Sequence, residues 1–345
     1  MSVNYTTVQW NRQKRRYDRI MVGLIALYLL SFTGLQLVFY PTITPETLII
    51  RATGTLAFLM LTIILCIGPL TRIDKRFMPL LYNRRHFGVT MFLIAVTHGI
   101  FNIVQFHSLS NTDPLLSIFI SNTNYSSFAL FPFQVLGFFA LLILFLMAAT
   151  SHDFWLKNLS PKVWKSLHML VYVAYALLVF HVMLGVVQLE QSPAWIGLIG
   201  VGMVTVIGLH LTAGMTEKRR LQGQSAKNEA LEGFFEVCTV EEIPENRAKI
   251  VFLEGENIAI FKYDGKVSAV SNICRHQHGP LGEGKIVDGC ITCPWHGYQY
   301  LPQNGQSPPP FTEKLETYDV KVVNGKIWVN PRPYPEGTER EPALI

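Results

Sequence analysis

Apolar residues crowd the chain up to Gly214 and alternate with polar ones after it. Six apolar stretches stand out, about Ile20–Tyr40, Leu48–Leu70, Phe87–Phe106, Phe128–Thr150, Val163–Val187 and Ala194–Ala213. Each reaches the roughly 20 residues an α-helix needs to cross hydrocarbon about 30 Å thick. A segment in lipid must satisfy its own backbone hydrogen bonds, so each stretch predicts a transmembrane helix. From Phe234 the period falls to two. FEVCTV, KIVFL, NIAIFKY, KVSAVS, CIT, YDVKVV and KIWVN alternate between turns such as Asp264-Gly265 and Asn324-Gly325, which predicts short antiparallel strands. The polar run Leu221–Gly233 between the two patterns reads as linker, and the stretch after Pro331 looks irregular. The pattern predicts a multidomain chain, an all-α six-helix transmembrane bundle followed by a small all-β domain. Its parts are an N-terminal segment (1–19), a membrane domain (20–215), a linker (216–233), the β domain (234–331) and a tail (332–345).

Charge adds an orientation. Only 15% of the 345 residues are charged and half are hydrophobic. Basic residues gather before the first span (Arg12, Lys14, Arg15, Arg16, Arg19), between the second and third (Arg72, Lys75, Arg76, Arg84, Arg85), between the fourth and fifth (Lys157, Lys162, Lys165), and after the sixth (Lys218, Arg219, Arg220). The opposite loops, Gln105–Ser127 and Gln188–Pro193, carry none. By the positive-inside rule both termini and the β domain lie in the cytoplasm. The first span has no small-residue cleavage pattern and reads as retained. Basic residues spaced between membrane spans give no case for nucleic-acid binding. The five cysteines show no repeated spacing of a disulfide framework, and Cys66 reads as simply packed in its apolar run.

The chemistry concentrates in Asn272–Tyr300, NICRHQHGPLGEGKIVDGCITCPWHGYQY. Cys274 with His276 and Cys293 with His296 form two ligand pairs on two short loops. Two thiolates and two imidazoles suit a pair of irons, one ligated by sulfur and the other by nitrogen. Gly279, Gly282, Gly284 and Gly297 let the backbone bend close to such a group. A zinc tetrahedron from Cys274, Cys290, Cys293 and a histidine is the alternative. Covalent haem attachment fails, because Pro294 rather than histidine follows Cys293.

C-x-H, GPLGEG and C-P-W-H-G together resemble the Rieske [2Fe-2S] domain. The resemblance implies Cys274, His276, Cys293 and His296 as the metal ligands. Gly279 and Trp295 occupy the places where disulfide-bearing Rieske proteins keep an extra cysteine pair, so the domain resembles the ferredoxin and oxygenase branch. Tyr300 stands where high-potential members keep a tyrosine on a cluster sulfur, and Tyr298 holds the companion serine place. Hydrogen bonds to sulfur raise the potential, so an intermediate value is expected. Pro308, Pro309 and Pro310 fall where the family places a loop over the cluster.

Histidines inside spans are expensive and mark function by default. His168 and His181 in the fifth span are thirteen residues apart, about 20 Å along a helix. His98 in the third span lies nearer the depth of His181. Imidazoles on facing helices are how a bundle holds haem b. Arg84-Arg85, W-K-x-L-H at the start of the fifth span and its second histidine are similar to the ferric-reductase-like transmembrane family, over roughly Met21 to Val187. That resemblance implies two b-type haems, with His98 and His181 on the outer one and His168 on the inner one. His86 is the first choice as partner of His168 and His210 the runner-up. His107 lies beyond the third span as a candidate substrate contact.

No G-x-G-x-x-G follows a strand, and Gly197, Gly200, Gly202 and Gly208 lie inside a span, so neither nicotinamide nor flavin is expected. The expected function is a membrane electron-transfer oxidoreductase. Single electrons would come from a cytosolic flavin reductase or ferredoxin, pass through the cluster and haems, and leave to a quinone, a ferric chelate or a periplasmic redox protein. Two alternatives stand beside it: a quinol-fed donor to a cytosolic oxygenase, and a redox sensor or anchor subunit without turnover.

Overall fold

The computed structural model describes residues 12–77, 80–81, 83–108, 111–127, 130–151, 155, 159, 161–187, 193–225, 230–231, 233–276, 278–295 and 297–345. The chain divides into two compact units near Ala213/Gly214.

The first unit is helical: α1 (Arg12–Phe39), α2 (Pro45–Ile73), α3 (Arg84–His107), the short α4 (Pro114–Ile120), α5 (Phe133–Ala149), α6 (Pro161–Met169), α7 (Val171–Val182) and α8 (Pro193–Ser225). Local chemistry sets several ends. Thr44 caps α2 with Pro45 in its first turn, and its hydroxyl accepts from the Thr47 amide at 3.3 Å. Asp113 caps α4 in the same way, accepting from the Leu115 and Leu116 amides. Helix α2 is the centre of the bundle. Leu56, Phe58, Met60, Leu61, Ile64 and Leu65 pack there against Met91, Leu144, Tyr175, Val179, Ile199 and Val206 from α3, α5, α7 and α8. Outward faces carry exposed apolar side chains such as Leu30, Val38, Val201 and Val204, which suits lipid as the solvent.

Among the described residues five helical segments are long and apolar enough to cross a membrane: Arg15–Phe39, Pro45–Ile73, Arg84–His107, Val163–Gly185 and Ile196–Glu217. The fourth expected span, Phe128–Thr150, is shorter than its sequence reading, at 17 helical residues. The cause is Pro132, which disfavours helix at Phe131 and makes Phe133 the first helical residue. The fifth span is not one regular helix. A turn at Leu170 separates α6 from α7, and a π-helical turn, Met183–Val187, follows His181. Helix α8 continues through Ser225, so the first part of the expected linker is helical.

The second unit is built from antiparallel strands: β1 (Ala230–Leu231), β2 (Phe234–Thr239), β3 (Arg247–Leu253), β4 (Glu256–Tyr263), β5 (Lys266–Ser271), β6 (Lys285–Val287), β7 (Cys290–Thr292), β8 (Gln299–Tyr300), β9 (Thr317–Tyr318), β10 (Val320–Val323), β11 (Lys326–Val329) and β12 (Ala343–Leu344). They form sheets ordered β1-β2-β11-β10, β12-β5-β4-β3 with β9 on β5, and β6-β7-β8. Glu254-Gly255, Asp264-Gly265, Asp288-Gly289 and Asn324-Gly325 have positive φ at both positions, the two-residue hairpin turn whose twist matches its strands. Ile243, Ile258, Ile260, Val267, Tyr318 and Ile327 fill one core. A second core gathers Phe261, Leu281, Ile291, Tyr300 and Leu315 around Cys274 and Cys293. The stretch after Pro331 has little regular structure but is firmly attached. Its end pairs with β5, and Tyr334, Gly337 and Arg340 donate backbone hydrogen bonds to Thr317, Leu315 and Gln303.

Candidate redox sites

In the β unit, two loops of like geometry carry the sequence-predicted ligands. The Cys274 amide donates to the Gly279 carbonyl (2.9 Å), and the Cys274 carbonyl accepts from the His278 amide (2.7 Å). The second loop repeats this. The Cys293 amide donates to Tyr298 (2.7 Å), and the Cys293 carbonyl accepts from Gly297 (2.9 Å). His278 and Gly297, each four residues after its cysteine, both take left-handed φ. Cys274 and Cys293 are essentially fully buried, and none of the five cysteines forms a disulfide. The loops nearly touch: a Cβ on Gly279 would lie 2.9 Å from Cys293 Sγ and 3.1 Å from the Trp295 ring. Trp295 therefore fills the room beside Gly279 that a side chain there would need.

Tyr300 is fully buried, and its hydroxyl lies 3.4 Å from Cys274 Sγ. The same oxygen accepts from the Arg275 amide at 3.0 Å, so its own hydrogen is free for the sulfur. Burial, and then the Cys274 sulfur beside it, push the Tyr300 phenol up and keep it protonated. The His276 ring stacks on Tyr298 at 4.6 Å. Burial lowers the His276 pKa to about 4, leaving a neutral imidazole, the form that ligates metal. Tyr298 donates to Glu313 and packs edge-on against Phe311, the residue after the three prolines. Among the described residues no three His, Cys, Asp or Glu side chains converge on one point. His296 lies outside the described residues.

In the helical unit, a cavity of about 180 Å³ opens among α2, α3, α5, α7 and α8. His98 and His181 face each other in its wall, ring centres 6.3 Å apart and planes at 87°. Two imidazoles ligating one iron from opposite faces, with bonds of about 2 Å, have ring centres roughly 6 Å apart. Each Nδ1 is bound to a backbone carbonyl, His98 to Ile50 (3.0 Å) and His181 to Phe133 (2.8 Å). That fixes the Nδ1–H tautomer and reserves Nε2 for a metal. Glycines make room for both rings. A Cβ on Gly54 would lie 2.7 Å from His98 Nδ1, and one on Gly137 would lie 2.8 Å from the His181 ring.

The other expected ligands are placed differently. His168 stacks on Trp164 at 3.6 Å, with Nδ1 on the Trp164 carbonyl and Nε2 3.4 Å from Ser151 Oγ. His86 Nδ1 meets Asp18 at 3.4 Å. His210 shares a 3.0 Å hydrogen bond with Tyr172, and buried His107 one of 2.9 Å with Ser117. Arg51, which also lines the cavity with Asn102 and Gln134, was missed by the sequence reading. Its signal was available, as the one cation within the apolar stretch Leu48–Leu70.

Comparisons with known proteins match both units. The model of the Rieske [2Fe-2S] domain family matches residues 233–319, and that of the ferric reductase like transmembrane component matches residues 53–179. The 3-phenylpropionate/cinnamic acid dioxygenase ferredoxin subunit of Photorhabdus laumondii is 37% identical over 95 residues, which are 27% of this chain and 90% of that protein. The chain belongs to the Rieske [2Fe-2S] family. Its Rieske domain is also similar to the biphenyl dioxygenase ferredoxin subunit of Pseudomonas sp. (31% identical; 28% of this chain, 91% of the relative). Among solved structures, the ferredoxin of carbazole 1,9a-dioxygenase from Nocardioides aromaticivorans is 24% identical, with 29% of this chain and 98% of that one covered and a TM-score of 0.27. The Rieske domain follows a ferric-reductase-like membrane region, so the chain is a multi-pass membrane oxidoreductase with an electron-transfer role.

Proposed function

We propose that this chain moves single electrons between a [2Fe-2S] cluster held by Cys274, His276, Cys293 and His296 and haem b held by His98 and His181. The observation that carries the haem half is the imidazole pair at 6.3 Å, each ring anchored at Nδ1 and backed by a glycine. The cluster half rests on the matched loops, the buried cysteines and the family match. Both bound groups supply one-electron chemistry. The chain supplies ligands, orientation and burial. Tyr300 donates to the Cys274 sulfur and favours the reduced state. Arg51 places a cation beside the haem cavity, suited to the carboxylates of a porphyrin.

The contacts of His168 and His86 support the inner haem less, because His86 would have to turn from Asp18 and His168 from Ser151 to meet at one iron. Lys and Arg placement supports a topology with both termini and the Rieske domain in the cytoplasm. The donor is then a cytosolic flavin reductase or ferredoxin. The acceptor is a quinone, a ferric chelate or a periplasmic redox protein. The matched ferredoxin subunits of dioxygenases favour one second reading, in which quinol feeds the chain and a cytosolic oxygenase takes the electron.

Purified protein tests the proposal. His98→Ala and His181→Ala should each remove haem absorbance while the Rieske spectrum stays. Full haem content in either variant overturns the pairing.

A further inference from the structure

The segment after Pro331 lies beyond the matched Rieske region yet reaches the first ligand loop. Its path is fixed by backbone and side-chain bonds. The Tyr334 and Gly337 amides donate to Thr317 and Leu315, Gln306 Nε2 donates to the Gly337 carbonyl (2.8 Å), and Thr317 Oγ1 donates to the Thr338 carbonyl (2.9 Å). Arg340 pairs with Asp319, and its guanidinium lies over the Tyr334 ring at 4.1 Å. Held this way, the strap presents Glu336 to Arg275 at 2.6 Å, and Glu316 binds the same guanidinium at 2.7 Å.

Arg275 is the middle residue of C-x-H, between Cys274 and His276. Its side chain is gripped by two carboxylates and its amide donates to Tyr300, whose hydroxyl reaches Cys274 Sγ. A hydroxyl that accepts from the amide on one side has its hydrogen left for the sulfur. The direction of that hydrogen depends on where the Arg275 backbone sits. Half-exposed ion pairs add little to stability, so the value of this one is geometric.

We infer that Glu336 is a positioning residue for the cluster: through Arg275 it holds the first ligand loop so that Tyr300 donates to the Cys274 sulfur, and thereby raises the reduction potential. This rests on the proposed cluster ligation. The two effects of losing Glu336 have opposite signs. Losing a negative charge near the cluster raises the potential. Losing the hydrogen bond to sulfur lowers it.

The test is a double-mutant cycle read by potentiometric titration of the Rieske EPR signal on the full chain, with Glu336→Ala and Glu336→Gln each placed in the Tyr300 and Tyr300→Phe backgrounds. Cluster content per chain is the folding control, and the isosteric Gln variant serves if the Ala variant loses its cluster. The expected result is a fall toward the Tyr300→Phe value in the Tyr300 background and no further fall when Phe occupies position 300. A rise, no shift, or equal shifts in both backgrounds overturns the inference. A wild-type protein without a Rieske signal would instead remove the reading beneath it.

Discussion

Gly137→Ala isolates what the haem proposal asks of the fold. The new methyl would sit 2.8 Å from Cε1 and Nδ1 of His181. Ordinary contacts between such atoms start near 3.5 Å, so ring or helix must give by about 0.7 Å. The ring is held by a 2.8 Å bond from Nδ1 to the Phe133 carbonyl, and that displacement stretches or tilts the bond. Loss of a ligand-orienting hydrogen bond lowers metal-site affinity by about 10- to 100-fold, or roughly 1.4–2.8 kcal/mol. Helix propensity works the other way, because Ala is favoured over Gly by about 1 kcal/mol in a helix. The fold should therefore survive while haem content falls. Gly23→Ala is the matched control, since a Cβ at Gly23 meets nothing within 4 Å. The assay is pyridine-haemochrome content per chain, with the Rieske EPR amplitude as internal standard. Gly137→Ala with the haem content and spectrum of Gly23→Ala would refute the reasoning.

Gly54→Ala should act in the same way through His98, where the new methyl would lie 2.7 Å from Nδ1, and haem titration compares the two variants directly. Asn272→Ala removes the carboxamide oxygen that accepts from the buried Gly282 amide at 2.8 Å; leaving that donor unpaired should destabilise the Rieske domain by about 1–3 kcal/mol in urea unfolding. Tyr300→Phe should lower the cluster potential with cluster content unchanged, and an unaltered titration would remove Tyr300 from the account. In cluster-free protein, His276 titrates near 4 when folded against about 6.5 unfolded, so the unfolded chain binds the extra proton between those values. Stability should be present above that window and fall as pH drops through it, and His276→Ala should flatten urea midpoints measured across the range.

Local signals made much of this readable in advance. Alternation and the Asp264-Gly265 and Asn324-Gly325 turns located strands that the structure shows, because each is a hairpin decided by neighbours in sequence. The apolar stretches located the helices for the same reason, with Pro132 the local exception that shortened one. His98, read from the sequence as nearer His181 in depth, has its ring centre 6.3 Å from that of His181. What stayed hidden depended on contact between distant residues. Nothing in the runs around Gly54 and Gly137 says that imidazoles from other helices press on them. The stretch after Pro331 carries no periodic pattern, since its partners are the edge of β5, Asp319 and Arg275. His86 is the first-choice partner of His168, but a place along a span does not set which way a ring turns, and each meets a different group.

The central claim is that one chain carries both an iron–sulfur centre and a porphyrin and passes electrons between them. An anaerobic reductive titration of the purified full chain, followed by EPR and optical absorbance together, tests it most directly. The account predicts a Rieske signal and a b-type haem band in one preparation, with haem reduction following reduction of the cluster. Protein that contains zinc and no porphyrin, or haem that stays oxidised beside a reduced cluster, would contradict it.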